Sequence, residues 1–572
     1  MTSRLEEFHE AIASRAFGAT GPAARPARVI HDGIASTIYG GARSAGGAAA
    51  ISAAIGGEKG PFGRVFGDLL VRQASASGHH RKRRIAFEMD NGHQLPGLNH
   101  FQLLNHPAVY EQMRLWLGRG AAGAGRAGRV TLACVSAWRN WAGDQACSPA
   151  AVARPGSAAE VVEALDRAAG ARYKVRVAGA GHSFSEAVLT DGMLISLERM
   201  KRVLDVDRDS GLVRVQAGIA LRELNHALDA HGLAVENLGD IDAQSLAGAT
   251  ATATHGTGSR LRNLSASLVS VQLALADGSV TEVSEHDDPE AWRAARVSVG
   301  ALGVITEATL QAVPAFTLEG VDAPMPLDDV LDRLDELADG SDHFELYNFP
   351  HSGLALTRTN RRVDVAPRAR SRAREWAEDV LLRNHVFELA CRVGRARPSL
   401  IPRVNRTVSR AAGYSRRVDR SHEIFASPRL VRFTEMEYAI PRAHAAAAVR
   451  AVRRVIEDRG LAVPFPLELR FVAGDDALLS PAAGRKTAYL AVHMFGGMPW
   501  EPYFRAVEQI MDGLDGRPHW GKRHFQTAET LAPRYPEWGR FAAVRSRLDP
   551  SGRFSNRYVD RVLGPVGAPL AA

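Results

Sequence analysis

The sequence predicts an α+β protein with an N-terminal appendage of different texture, and three observations carry that prediction. Short β-branched runs such as Val175–Val177 and Leu212–Ala217 read as strands. Between them Glu160–Ala169 places Val161, Ala164, Leu165 and Ala168 on one helical face. Ahead of both lies Gly118–Gly128 (GRGAAGAGRAG), the composition of a linker between separately folded parts. Further along, Leu268–Ala276 reads as a strand ending in an Asp277-Gly278 turn, and Phe433–Ala439, Leu467–Val472 and Ala488–Met494 as more strands. Arg442–Arg459 reads as a helix stopped by Gly460. The expected organisation is an appendage at 1–130, folded bodies at 131–315 and 316–515, and a C-terminal segment at 516–572.

Composition narrows the function classes. Of 572 residues, 45% are hydrophobic and 23% charged, an ordinary globular balance. The three cysteines, Cys134, Cys147 and Cys391, contain no CxxC and give neither a disulfide framework nor a zinc site. His519 and His524 are five apart and share no helix face, so no metal is expected. The opening MTSRLEEFHEAIASR carries acids and no apolar stretch, so no secretory signal is expected. Ala48–Ile55 is too short to span a bilayer, which leaves no integral membrane association. A cytoplasmic location is expected, or a peripheral one at a membrane surface. The net charge of +8 is concentrated in His79–Arg84, Arg361–Arg374 and Arg403–Arg420. No interleaved aromatics or reader motif accompany these clusters, so nucleic acid is not an expected partner.

Three segments look built around a ligand. Arg176–Ser185 (RVAGAGHSFS) runs from a strand into a turn with Gly179 and Gly181, where backbone N–H groups can converge on a diphosphate. Gly239–Gly258 (GDIDAQSLAGATATATHGTG) is packed with small residues and hydroxyls; as a plain strand it would be weakened by Gly248, Gly256 and Gly258. Val299–Thr306 (VGALGVIT) is a third glycine-spaced segment, which reads equally as a plain turn. In the second half, Glu468 and Arg470 stand at i and i+2 of a strand and so share a face, as a surface ion pair or as part of a site.

Together, and in this order, Trp138–Asp144 (WRNWAGD), RVAGAGHSFS and THGTG resemble the FAD-binding domain of the vanillyl-alcohol-oxidase-type flavoproteins. The nearest branch is the aldonolactone oxidases (gulonolactone and arabinonolactone oxidase-like), with alditol oxidases as neighbours. The resemblance spans roughly residues 131–565. It implies a two-domain fold, an FAD domain at 131–315 and a substrate or cap domain at 316–515, with 516–572 returning to the FAD domain. It implies FAD as cofactor, bound covalently through His182. Around it would stand Gly179, Ala180, Gly181, Ser183 and Phe184; Gly239, Asp240, Gln244, Ser245, Gly248, Thr252, Thr254, His255, Gly256 and Gly258; and Gly303 and Ile305.

The resemblance also implies the chemistry. PLELRFVAGDDALLSP resembles the strand carrying the family's E-x-R pair, and His519–Lys522 (HWGK) its C-terminal signature. Glu468, Arg470, Lys522 and His519 are therefore the implied catalytic residues. Glu435–Pro441 (EMEYAIP) and Asp549–Tyr558 (DPSGRFSNRY) resemble the family too and are expected to be mainly structural. The implied reaction oxidises a hydroxyl of a sugar-1,4-lactone of gulono-, galactono- or arabinono type, with an alditol as alternative. Gly239 stands where glycine is associated with access of O2, so an oxidase making H2O2 is implied; a dehydrogenase using a quinone or cytochrome is the alternative.

Two other classes make distinct expectations. A binding module that had lost turnover would lack Glu468, Arg470 or Lys522, and all three are present. Arg28–Gly46 and Gly67–Leu117, with PGLNHFQLLNHPAVYEQMRLWL and His100, resemble the two ends of an α/β-hydrolase. No G-x-S-x-G elbow occurs; Ala42–Gly46 is the nearest match and does not begin with glycine. A degenerate remnant is expected there.

Overall fold

Helix α1, Ala158–Gly170, buries Val161, Ala164, Leu165 and Ala168, the face the spacing predicts. Ser157 caps it, its Oγ accepting from Glu160 N–H at 3.3 Å, a contact whose loss costs about 1 kcal/mol. These positions belong to the structure, a computed structural model, which describes residues 137–368 and 370–567 together with a short pairing of His79–His80 with Arg83–Arg84. The chain separates into two compact units, Met1–Thr131 and Leu132–Ala572. The hydrolase-like segment with His100, the glycine-rich linker and Cys134 lie outside the described residues.

Helix α1 packs on a small parallel sheet, in the order β1 (Ala151–Ala153), β3 (Met193–Ser196), β2 (Val175–Ala178). A five-stranded antiparallel sheet follows, ordered β7 (Val280–Ser284), β6 (Leu268–Ala274), β8 (Val304–Gln311), β5 (Leu212–Gln216), β4 (Val203–Val206). Its core takes in Leu221, Leu224 and Leu228 of α2 (Leu221–Ala230) and Leu246 and Ala249 of α3 (Leu246–Ala251). Val299 and Gly300 both have positive φ, so the glycine-spaced segment opens as a turn and enters strand β8 at Val304. Residues 239–258 are neither a strand nor an open thread throughout, because Ser245 caps α3 in their middle.

The third sheet has eight strands, ordered β12 (Ser415–Arg420), β9 (Thr317–Pro326), β11 (Leu354–Val363), β10 (His343–Asn348), β14 (Leu467–Val472), β15 (Thr487–Phe495), β13 (Phe433–Pro441), β16 (Arg517–Pro518). On one face Leu346, Leu469, Leu490 and Met436 pack with Val449, Val452 and Ile456 of α5 (Ala445–Asp458). Arg442–His444 forms a separate 3₁₀ turn before α5. The helix Phe387–Ala396 (α4) buries only Cys391 and Gly394.

The other face of the eight-stranded sheet carries Glu345, Glu468, Arg470, Tyr489, His493, Glu435 and Glu437, and all are buried. Strand side chains alternate between faces, so a polar face on an exposed sheet would point at water. Here it points into protein. Buried polar side chains must find partners, and the partners are one another and the loops that carry Asp240, His255 and Lys522. The C-terminal residues run back to the first domain: Val175 N–H donates to the Arg553 carbonyl at 2.9 Å and Phe184 N–H to the Gly521 carbonyl at 2.7 Å.

Candidate active site

A long cleft opens at the end of β2. It is lined by Gly179, Ala180, Gly181, His182 and Ser183, by Gln244, Ser245, Gly248 and Thr252, and by Gly303 and Ile305. The space it encloses, open solvent at its mouth included, is about 890 Å3. Two glycines are required by geometry. A Cβ on Gly179 would sit 2.1 Å from Ser245 Oγ, and Gly181 has φ +72°. Arg176 braces the turn from beneath, donating to the carbonyls of Ala187 at 2.5 Å, Val299 at 2.8 Å and Gly300 at 3.0 Å, and also to that of Phe554.

These residues fit FAD. The backbone N–H groups of residues 180–183 donate to no backbone carbonyl among the described residues. Ser185 Oγ and Gln244 Oε1 are buried without a partner, and both residues line the cleft. Orphaned donors at a glycine turn are what a diphosphate satisfies. His182 stacks on Trp141 with centroids 5.5 Å apart. Burial, then the charges of Arg432 and Lys522, pull its pKa down to about 4, so the neutral ring keeps a lone pair at neutral pH.

The predicted Glu468–Arg470 pair is buried, which removes the surface-ion-pair reading. Register sets Glu345 opposite Arg470 and Tyr347 opposite Glu468. Arg470 meets three carboxylates: Glu345 at 2.9 Å, Asp240 at 3.5 Å, and Glu468. Glu345 has a second cation in Arg358 at 3.5 Å, and Asp240 has one in Arg429. Among the described residues Glu468 has no second Arg or Lys; its one other basic neighbour there is His493 at 3.9 Å. Burial therefore pushes Glu468 up to about 7, against the pull of Arg470 and with the Asp240 and Glu345 charges adding to the rise. Asp240, by contrast, is held well below the usual carboxylate range: burial opposes this, but Arg429 and Arg470 outweigh it.

Lys522 pairs with Glu435. Burial alone would lower its pKa, but the Glu435 and Glu437 charges more than offset that and raise it, so the ammonium persists. His493 lies 3.5 Å from Glu435 and joins this pair to the Glu468 side. His519 does not meet His524; its donor atom and those of His255 and Glu437 lie within 4.8 Å of one another. Such a trio could be drawn as a metal site, yet its hydrogen bonds assign other roles. Gly521 N–H occupies the His519 Nδ1 lone pair at 3.0 Å. Burial holds the His519 pKa down to about 3, so the ring is neutral with its proton on Nε2. His255 donates from Nδ1 to the Gly256 carbonyl at 2.8 Å, faces Glu437 at 3.2 Å through Nε2, and stacks on Tyr489 at 3.6 Å.

Seven of the predicted cofactor residues are not in the cleft lining. Asp240 and His255 belong to the polar sheet face. Gly239 lies against the His255 carbonyl, where a Cβ would come within 3.1 Å. Thr254 and Gly256 are buried, Gly258 donates to the Phe471 carbonyl at 2.6 Å, and Phe184 packs near Trp141 and Phe433. Glu435 and Glu437 were expected to be mainly structural; instead their carboxylates hold Lys522 and His255. The sequence reading also omitted Glu345, Tyr347, Arg429, His493 and Arg176. The available signal was period two: Glu345/Tyr347, Glu435/Glu437 and Glu468/Arg470 each stand at i and i+2 of a strand.

Fold and site define the class: a two-domain FAD-dependent oxidoreductase of the vanillyl-alcohol-oxidase type. Residues 149–284 match the FAD binding domain family, and residues 308–562 match the D-arabinono-1,4-lactone oxidase family. The chain is 51% identical over 430 residues to an L-gulono-1,4-lactone dehydrogenase of Mycobacterium tuberculosis, covering 75% of this chain and 99% of the relative. It is 35% identical to the L-gulonolactone oxidase of Bos taurus, covering 74% and 98%. Cholesterol oxidase from B. sterolicum shares the fold, with a TM-score of 0.63 at 17% identity, covering 75% of this chain and 96% of that one. The chain belongs to the FAD-linked aldonolactone oxidoreductase family.

Proposed function

We propose that this protein oxidises a hydroxyl-bearing carbon of a sugar-1,4-lactone of the gulono-, galactono- or arabinono type, with Glu468 taking the hydroxyl proton. The observation that carries the reading is Glu468 itself, a buried carboxylate raised to about 7 beside a fully charged guanidinium. A base is most effective when its pKa lies near the working pH. The residues of the glycine-lined cleft would hold FAD, which when bound would supply the two-electron oxidant for the hydride of that carbon. Residues 131–315 would form its domain, 316–515 the substrate domain, and 516–572 the closing segment.

The chain's residues divide the remaining work. Glu468 accepts the proton at its carboxylate. Arg470 and Lys522, both held charged, stabilise negative charge on the substrate oxygen as that proton leaves. His519 stays neutral and helps to fix the turn that carries Lys522: its Nδ1 accepts from the Gly521 backbone N–H at 3.0 Å and its carbonyl from the Lys522 backbone N–H at 2.9 Å. His182, neutral and stacked on Trp141, is suited to bond covalently to the flavin. The same groups would serve an open-chain alditol, and the relatives' names favour the lactone.

For the acceptor, the absence of a side chain at Gly239 supports O2, with H2O2 as product. A second reading, a dehydrogenase using a quinone or cytochrome, is favoured by the name of the relative at 51% identity. A cytoplasmic location belongs to the same reading, supported by free Cys147 and Cys391. The test is to purify the protein, denature it in acid, and then assay lactones with O2 and with a dye. Yellow colour retained by the polypeptide and lost in His182→Ala supports the covalent bond; released colour removes it. One H2O2 per lactone supports the oxidase, whereas turnover with dye alone removes it.

A further inference from the structure

The region between β11 and β12 serves neither the cleft nor the polar sheet face. It contains the Trp376–Val386 stretch, wound in π-helical turns, and α4. Its apolar residues face outward: Trp376 is 54% exposed, Leu382 48%, Val386 50%, Leu389 62% and Val393 39%. Single exposed apolar residues need no explanation, but a contiguous run does. Val386, Leu389 and Val393 recur at intervals of three and four, the spacing of one helix face. Leu382 and Trp376 are further exposed apolar residues in the π-helical turns that precede α4.

The charge around this run is as uneven as its hydropathy. Residues 366–420 hold fourteen arginines against five acidic residues, and although Arg383, Arg416 and Arg420 pair with Asp322, Glu319 and Asp229 from outside this stretch, the balance there stays positive. An exposed apolar helix row with a tryptophan, bordered by arginine, matches a helix lying in a bilayer interface, its apolar face among the acyl chains and its cations at anionic headgroups. Where α4 meets the rest of the protein, Arg392, Arg395 and Arg432 line a pocket together with Glu388, Ala142 and Phe495, and Arg395 donates to the Gly496 carbonyl at 3.0 Å. The Arg432 guanidinium lies 4.6 Å over Trp141, the ring that stacks on His182.

We propose that the Trp376–Val393 face docks the protein peripherally on an anionic phospholipid bilayer. The docking surface does not depend on the identity of the lactone or of the acceptor. The occupant is set by charge complementarity: an arginine-bordered apolar row meets negative headgroups and acyl chains in one surface.

The experiment is co-sedimentation of the full-length flavoprotein with vesicles of phosphatidylcholine alone, or with a third of phosphatidylglycerol, at low and high salt. The expected result is binding to the anionic vesicles only, weakened by salt. The triple variant Leu382→Ser/Val386→Ser/Leu389→Ser should lose about tenfold or more in affinity, as loss of several buried methylenes implies. It should keep its flavin spectrum and its lactone oxidation with a soluble dye, which shows that it folds. Should the triple variant not fold, Leu389→Ser and Trp376→Ser singly should each weaken binding, and Trp376→Phe should remove the fluorescence blue shift that vesicles induce. Wild-type protein that ignores anionic vesicles overturns the proposal, as does equal binding to both lipids or a folded triple variant that binds unchanged. Light scattering that shows a wild-type oligomer, with the triple variant a monomer and neither binding vesicles, would instead assign the face to contact between copies of the chain.

Discussion

The cleft and the polar sheet face are built on opposite plans. The cleft is made by backbone: N–H groups without acceptors, glycines where a Cβ would collide, and two orphaned side-chain polar atoms. The sheet face is made by side chains from four adjacent strands, each contributing a polar residue or pair whose partners lie across the register, in the same strand, or on the segments that carry Asp240, His255 and Lys522. The first can hold a cofactor before any substrate arrives. The second can tune one carboxylate, because each neighbour's charge is already committed elsewhere. Damage to the face should therefore cost rate while the flavin stays, and damage to the cleft should cost the flavin first.

The largest effect is expected on the face. Glu468→Gln should lower kcat/KM by about 10²–10⁴-fold with flavin content unchanged. Wild-type kcat/KM should rise with pH through an apparent pKa near 7, because the base works only when deprotonated, and the variant should lose that limb. Lys522→Met removes a buried cation and should lower kcat by about 10²–10³-fold, again with the flavin retained. Gly179→Val reverses the pattern: its Cβ would collide with Ser245 Oγ, so FAD binding should weaken about tenfold or more in a reconstitution titration. Smallest is Ser185→Ala, which removes a hydroxyl with no protein partner. Titration of FAD should show a loss of about 1 kcal/mol if the cofactor satisfies that hydroxyl, and no change if it does not.

The same contrast explains what the sequence made legible. A backbone cradle needs its glycines and small residues consecutively, so RVAGAGHSFS and the 239–258 segment stand out without any tertiary knowledge. Helix α1 was equally readable, since its buried face is local. The sheet face was not. Glu435 and Glu437 alternate with Met436 and Tyr438 much as a half-exposed strand would, and only the helix-covered apolar side and the buried polar side together show that neither faces water. Arg429 and Asp240 meet from segments about 190 residues apart, with no periodicity to connect them. His255 and His519 meet in the same way, which spacing within one helix could not anticipate. Glu468 and Arg470 were readable as a pair; the reason Glu468 and not Glu345 is the free base lies in Arg358, two strands across the sheet from the motif.

The most direct test of the account is anaerobic mixing of the purified yellow protein with L-gulono-1,4-lactone, followed at the flavin absorbance. The account predicts that the lactone bleaches the wild-type flavin, and that Glu468→Gln, holding as much flavin, bleaches slower by orders of magnitude. A protein that carries FAD yet stays yellow with every aldonolactone and alditol offered, or a Glu468→Gln variant that bleaches at the wild-type rate, would contradict it.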